Sequence, residues 1–142
     1  KADAGPAKER NSKRMGGARV LVLDEAEDFR TMVTNCLGGA GFGVHGVDCP
    51  HVALELLGAE SGEHFDIAII DALMPNGSTD ALLDSIMHSN AGLKVMLVSG
   101  FSRTFVRGQV GSRKWSYLQK PCAPAQLLAS VERLVANEAE TR

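Results

Sequence analysis

The chain has 142 residues, 44% of them hydrophobic and 23% charged, with a formal net charge of −2. That length fits one domain of roughly 100–150 residues, and the composition is that of a globular chain, not a disordered or collagenous one. No apolar run approaches the roughly 20 residues that a membrane-spanning helix needs. The three cysteines, Cys36, Cys49 and Cys122, match no zinc or disulfide pattern and are expected to be reduced thiols in a cytoplasmic protein.

Residues 1–17 lack apolar periodicity and are expected to form a flexible linker or tail. Its basic residues Lys1, Lys8, Arg10, Lys13 and Arg14 outnumber Asp3 and Glu9, so the remainder of the chain is net acidic. An acidic body argues against direct nucleic-acid binding, which usually shows a basic face. Because the chain starts at Lys1, a fragment of a longer protein is expected. The domain proper is placed at 18–138, with a C-terminal tail at 139–142.

Arg19 to Leu23 is a short apolar run stopped by Asp24 and Glu25, the pattern of a parallel strand covered on both faces. Asp28 to Leu37 has helical spacing and is expected to stop at Gly38-Gly39. Gly43 to Val47 reads as a weaker strand, His51 to Leu57 as a helix and 58–64 as a loop. Phe65 to Ile70 is a second buried strand running into Asp71, followed by a loop at 72–79 and a helix from Asp80 to His88. Leu93 to Val98 is a third buried strand, ending at Ser99-Gly100. Thr104 to Val110 is a poor helix candidate in a stretch short of apolar residues, where Trp115 is either packing or an exposed contact. Tyr117 to Gln119 is a brief strand ending at Lys120-Pro121, and Pro124 to Glu138 is an amphipathic helix with Leu127, Leu128, Val131, Leu134 and Val135 on one stripe.

Five strands alternating with five helices predict an α/β fold, a doubly wound parallel sheet with helices on both faces. Ligands of such sheets bind at the carboxyl ends of the strands. Asp24, Glu25, Asp71, Ser99 and Lys120 all fall at those ends, so the fold gathers them. Singly, each is ordinary: an acid after a strand caps or turns, Ser-Gly turns, and Lys-Pro precedes a helix. Jointly they carry chemistry. Three carboxylates converging without a nearby arginine would repel one another, and at least one pKa should rise. Mg²⁺ would relieve that repulsion through oxygen ligands while keeping waters, and the absence of Cys and His fits it better than zinc. A carboxylate can also act as a nucleophile and form an acyl phosphate, with a metal, a lysine and a hydroxyl neutralising the transferring group.

In these residues the sequence resembles the receiver domain of two-component response regulators, over roughly Arg19 to Asn137. The matching motifs are Val-Leu-Asp24-Glu25, Asp71-Ala-Leu-Met74-Pro75, Val-Ser99-Gly100 and Tyr117-Leu-Gln-Lys120-Pro121. The resemblance implies a flavodoxin-like (βα)5 sandwich with strand order 2-1-3-4-5. It also implies that Asp71 is the phosphoacceptor and that Glu25 and the Leu73 carbonyl ligate Mg²⁺ with Asp71, while Asp24 holds a metal-bound water. Lys120 would pair with the phosphoryl oxygens, and Ser99 would donate to them. Ser99 and the switch aromatic Tyr117 would then carry the change outward.

The implied partner is a histidine kinase or a histidine phosphotransfer domain. The resemblance implies no membrane contact, a monomer or weak dimer, and no separate enzymatic activity beyond handling its own phosphoryl group. Tyr-Leu-Gln-Lys-Pro and Ser-Gly-Phe resemble receivers fused to hybrid histidine kinases, which is the expected parent. Thr79 stands where the family's loop usually has glycine, so the turn is expected to be rebuilt around Gly77. The alternative reading is a degenerate receiver acting only as a protein-interaction module. A phosphatase of the haloacid dehalogenase type would need a second acid where Leu73 stands.

Overall fold

A computed structural model describes residues 17–74, 79–90, 92–111 and 114–140. The basic tail therefore falls outside the described residues except at Gly17, as does the proposed turn at Gly77. The elements are β1 (Arg19–Leu23), α1 (Glu27–Gly39), β2 (Gly43–Val47), α2 (Pro50–Leu57), a 3₁₀ turn (Ala59–Ser61) and β3 (Ile67–Asp71). They continue with α3 (Thr79–Ser89), β4 (Lys94–Ser99), α4 (Arg103–Val110), β5 (Ser116–Gln119) and α5 (Pro124–Glu140). All strand pairs are parallel, and the sheet order is β2-β1-β3-β4-β5. This is the doubly wound (βα)5 arrangement expected from the sequence.

Successive strand residues point to opposite faces, and the apolar runs split accordingly into two cores. Leu21, Leu23, Ala68, Ile70, Val95 and Leu97 pack under α2, α3 and α4, where Leu83, Ile86 and Val106 are buried. Val20, Val22, Ile67, Ile69, Met96 and Val98 face α1 and α5, with Leu37, Leu127 and Val131. Near-continuous apolar strands are what covering both faces demands. The helices differ in this respect, since each buries a single stripe.

Several boundaries differ from expectation for local reasons. Helix α1 includes Gly38 and Gly39 and ends there, with Ala40 as its C-cap, and the chain turns away at Gly41, whose φ of +100° is open to glycine. There the Phe42 N–H donates to the Leu37 carbonyl and the Gly41 N–H to that of Gly38, a Schellman closure with Leu37 and Phe42 buried together. Strand β3 starts at Ile67 rather than Phe65, because the Asp66 carboxylate accepts the Arg19 N–H at 2.9 Å and closes the ladder. Both β3 and β4 extend by one polar residue, so Asp71 and Ser99 are themselves strand residues. The poor candidate helix α4 forms two turns, capped by the Ser102 hydroxyl on the Phe105 N–H and anchored by Val106 and Val110. Trp115 is buried, which decides for packing.

Candidate functional site

The carboxyl ends of β1, β3, β4 and β5 form one edge of the sheet. Asp24 follows β1, and its N–H donates to the Val47 carbonyl of β2 at 3.1 Å. Its side chain is only 2% exposed. One oxygen, Oδ1, accepts the Ala26 N–H at 2.9 Å, and Oδ2 accepts from Lys120 Nζ at 2.7 Å. The Lys120 ammonium also lies 4.5 Å from the centre of the Phe29 ring, a cation–π contact. This pair joins residues 96 positions apart.

Asp71 ends the central strand β3, half-buried, with Oδ1 accepting the Leu73 N–H at 3.1 Å. Burial pushes its pKa up from the ordinary carboxylate value, the Leu73 N–H pulls it back, and the charges of Asp24 and Glu25 raise it against the lowering effect of Lys120. Glu25 itself is exposed. One ammonium therefore faces three carboxylates, an imbalance that a hard divalent cation would correct. Among the described residues no three His, Cys, Asp or Glu side chains are gathered closely enough to hold a metal by themselves. An ion fitting here would lean on a few carboxylates, the Leu73 carbonyl and waters, which is how Mg²⁺ is usually held.

Ser99 ends β4, one residue past the Val98 that pairs with Asp71. Its hydroxyl is buried, accepts the Phe101 N–H at 3.0 Å and makes no bond to Asp71. The half-buried Tyr117 donates its hydroxyl to the carbonyl of Ser99 at 3.1 Å and to that of Phe101. The Lys120 N–H donates to the same Ser99 carbonyl at 2.7 Å. The loop after β4 is thereby tied to β5 from two directions.

Two further residues support the site. Contrary to the expectation of no nearby arginine, Arg30 donates to the carbonyls of Asp24 at 2.7 Å and Glu25 at 3.1 Å, clamping the acidic turn by its backbone. A cation in the first turns of a helix, where acids are favoured, is the signal that marks it. Thr79, 2% exposed at the start of α3, accepts the Met74 N–H at 3.1 Å and donates to the Asp71 carbonyl at 3.4 Å. Thr79→Val keeps the shape but strands the buried Met74 amide, and should lower stability in urea unfolding by about 1–2 kcal/mol. A loss within 0.3 kcal/mol of zero, on the scale of surface substitutions, would show that the hydroxyl does not hold this loop.

The family model for the response regulator receiver domain matches residues 20–132. The chain is similar to the sensor kinase CckA of Brucella abortus (strain 2308), 28% identical over 145 residues, covering 97% of this chain and 15% of that protein. It is 28% identical to the DNA-binding transcriptional regulator NtrC of Rhizobium meliloti (strain 1021), covering 87% of this chain and 25% of that one. The chain thus spans a quarter or less of the length of these two relatives. Among solved structures, a response regulator from Thermotoga maritima superposes with a TM-score of 0.75 at 21% identity, covering 84% of this chain and 98% of that one. The receiver domain of a signal transduction histidine kinase from Syntrophus aciditrophicus gives 0.72 at 20% identity, covering 85% and 92%.

Proposed function

This chain belongs to the response regulator receiver domain family of two-component signal transduction, and from that premise we propose that Asp71 accepts a phosphoryl group from a phosphohistidine. The donor would be a histidine kinase or a histidine phosphotransfer domain. The observation that carries the reading is the raised pKa of Asp71 beside the Asp24–Lys120 pair at the strand ends.

In the proposed reaction Asp71 Oδ2 attacks phosphorus while Oδ1 stays on the Leu73 N–H. The P–N bond to histidine breaks, an acyl phosphate forms, and the released imidazole takes a proton from solvent. Lys120 leaves Asp24 Oδ2 for the phosphoryl oxygens, and Ser99, whose oxygen already accepts the Phe101 N–H, turns its own proton towards them. That movement loosens the loop on which Tyr117 rests, and Tyr117 and its neighbours repack as the output. Receiver domains in general depend on Mg²⁺; here Asp24, Glu25, Asp71 and the Leu73 carbonyl would hold it, and it would neutralise charge on the transferring group.

We place the receiver unit at 18–138 between flanking segments 1–17 and 139–142, inside a longer cytoplasmic chain such as a hybrid histidine kinase. No helix among the described residues is long and apolar enough to cross a membrane. The test is incubation with a small phosphodonor and Mg²⁺, read by intact mass. A gain of about 80 Da, labile as an acyl phosphate, is expected. No gain, with no Mg²⁺-dependent rise in melting temperature, would leave a degenerate receiver that only binds proteins.

A further inference from the structure

The chemistry at the strand ends draws on oxygen and nitrogen and makes no use of the three cysteines. All three are free thiols, and each is half-buried. Their positions differ. Cys49 opens α2, whose buried Ala53 and Leu57 belong to the core on one face of the sheet. Cys36 on α1 and Cys122 in the β5–α5 turn both pack against the core on the opposite face, with Leu37, Leu127 and Val131. The sheet therefore stands between Cys49 and the other two.

Helices α1 and α5 lie against each other. At their contact the Cys36 thiol donates to the Pro124 carbonyl at 3.2 Å, across 88 positions of sequence. Cys122 comes two residues before that proline, so the two Cα atoms are within about 7.6 Å. Burial pushes the Cys122 thiol up, Lys120 draws it back, and an ionised Cys36 adds to the rise. Burial likewise raises the Cys36 thiol. The turn is pinned on both sides of Cys122. The Lys120 N–H donates to the Ser99 carbonyl, and the Ala123 N–H to the Gln126 side chain. Cys122 itself makes no hydrogen bond with a described residue, so it is the member of the pair that can shift. A disulfide needs Cα atoms about 4.4–6.8 Å apart, which a small shift of that turn supplies.

We propose that Cys36 and Cys122 form a reversible disulfide when the chain meets a low-molecular-weight disulfide, fastening α1 to the turn that follows Lys120. Cys122, beside the Lys120 ammonium, gives its proton to solvent and attacks one sulfur of the oxidant. The oxidant's S–S bond breaks and releases one thiolate. Cys36 then loses its proton, attacks the Cys122 sulfur and expels the second thiolate. Two protein thiols are oxidised, one small disulfide is reduced to two thiols, and those thiols take up the protons. The proposal does not depend on the chemistry at Asp71.

The full chain would be incubated with oxidised glutathione at pH 8, and its intact mass read without reduction. A monomer lighter by about 2 Da is expected, with the mass restored by dithiothreitol. Proteolysis at aspartate cuts before Asp48 and so separates Cys36 from Cys49. The Cys36 peptide should be joined to the Cys122 peptide, with Cys49 outside the cross-link. Cys49→Ser should close the same bond, whereas Cys36→Ser should stop with one glutathione on Cys122, a gain of about 305 Da. Circular dichroism verifies that the serine variants are folded, and the wild-type peptide map stands without them. A wild type of unchanged mass, one that keeps glutathione on both Cys36 and Cys122, a covalent dimer, or a cross-link through Cys49 would each overturn the proposal.

Discussion

Asp71→Asn is expected to take up no phosphoryl group and, at neutral pH, to melt at a higher temperature than the wild type. The first effect is total, because the attacking carboxylate oxygen is gone. The second follows from the electrostatics of the strand ends. Desolvation, with Asp24 and Glu25 adding to it, holds the folded pKa of Asp71 above the ordinary 3.8. Between 3.8 and that higher value the folded state binds more protons than the unfolded chain, so stability falls as pH rises through the window. Above the window the whole penalty is present, and at neutral pH the ionised carboxylate weakens the fold. Asparagine retains an acceptor for the Leu73 N–H without the charge. Its advantage should be greatest at pH 7–8, shrink on acidification and vanish below 3.8, where both carboxyl forms are protonated. Mg²⁺ should narrow the gap from the other side by stabilising the wild type. Thermal melts of both proteins across pH, with and without Mg²⁺, provide the check. A variant less stable than wild type at pH 7 would mean that the carboxylate is held by stronger partners than those described.

Lys120→Met should harm both fold and chemistry. Methionine keeps an apolar stem near Phe29 but leaves Asp24 Oδ2, on a side chain 2% exposed, without its ammonium. Breaking a fully buried pair costs about 3–5 kcal/mol. The Lys120 side chain is 24% exposed, and the Ala26 N–H still serves Asp24, so about 2 kcal/mol is expected. Adding Asp24→Asn to this variant should recover most of that loss, which a urea-unfolding cycle measures directly. Phosphorylation should not recover. Removing a charged donor from a transferring group typically costs about a hundredfold in rate. A single variant as stable as wild type would show that Asp24 and Lys120 are each solvated well enough alone.

How much of this was legible in the sequence depends on the range of the interaction responsible. Strands β1 and β2 match the sequence reading residue for residue, since their bounds follow apolar runs and the acids or turns that break them. The gathering of Asp24, Asp71, Ser99 and Lys120 at one edge follows from parallel topology alone, as each ends or follows a strand. The C-terminus of α1 was less readable. Three glycines lie within Gly38 to Gly41, and only backbone geometry distinguishes Gly41, at φ +100°, from the helical Gly38 and Gly39. Arg30, and the bonding role of Thr79, escaped because they work through backbone carbonyls and amides of other segments, which leave no periodic mark. The placing of Cys36 and Cys122 on one core depends on how α1 lies against the β5–α5 turn, a tertiary fact.

The 96-residue separation between Asp24 and Lys120 also bears on synthesis. A chain emerging from the ribosome has its acidic turn and Asp71 long before it has β5. Until that strand is added at the edge of the sheet, Asp24 has no ammonium beside it. Contacts so distant in sequence form late, because long loops must close before any gain is realised. Competence to receive a signal should therefore appear abruptly, with the last quarter of the domain, rather than grow with chain length. A partly made copy would present Asp24 without the charge that balances it and, on the proposed function, would be a poor acceptor of a phosphoryl group.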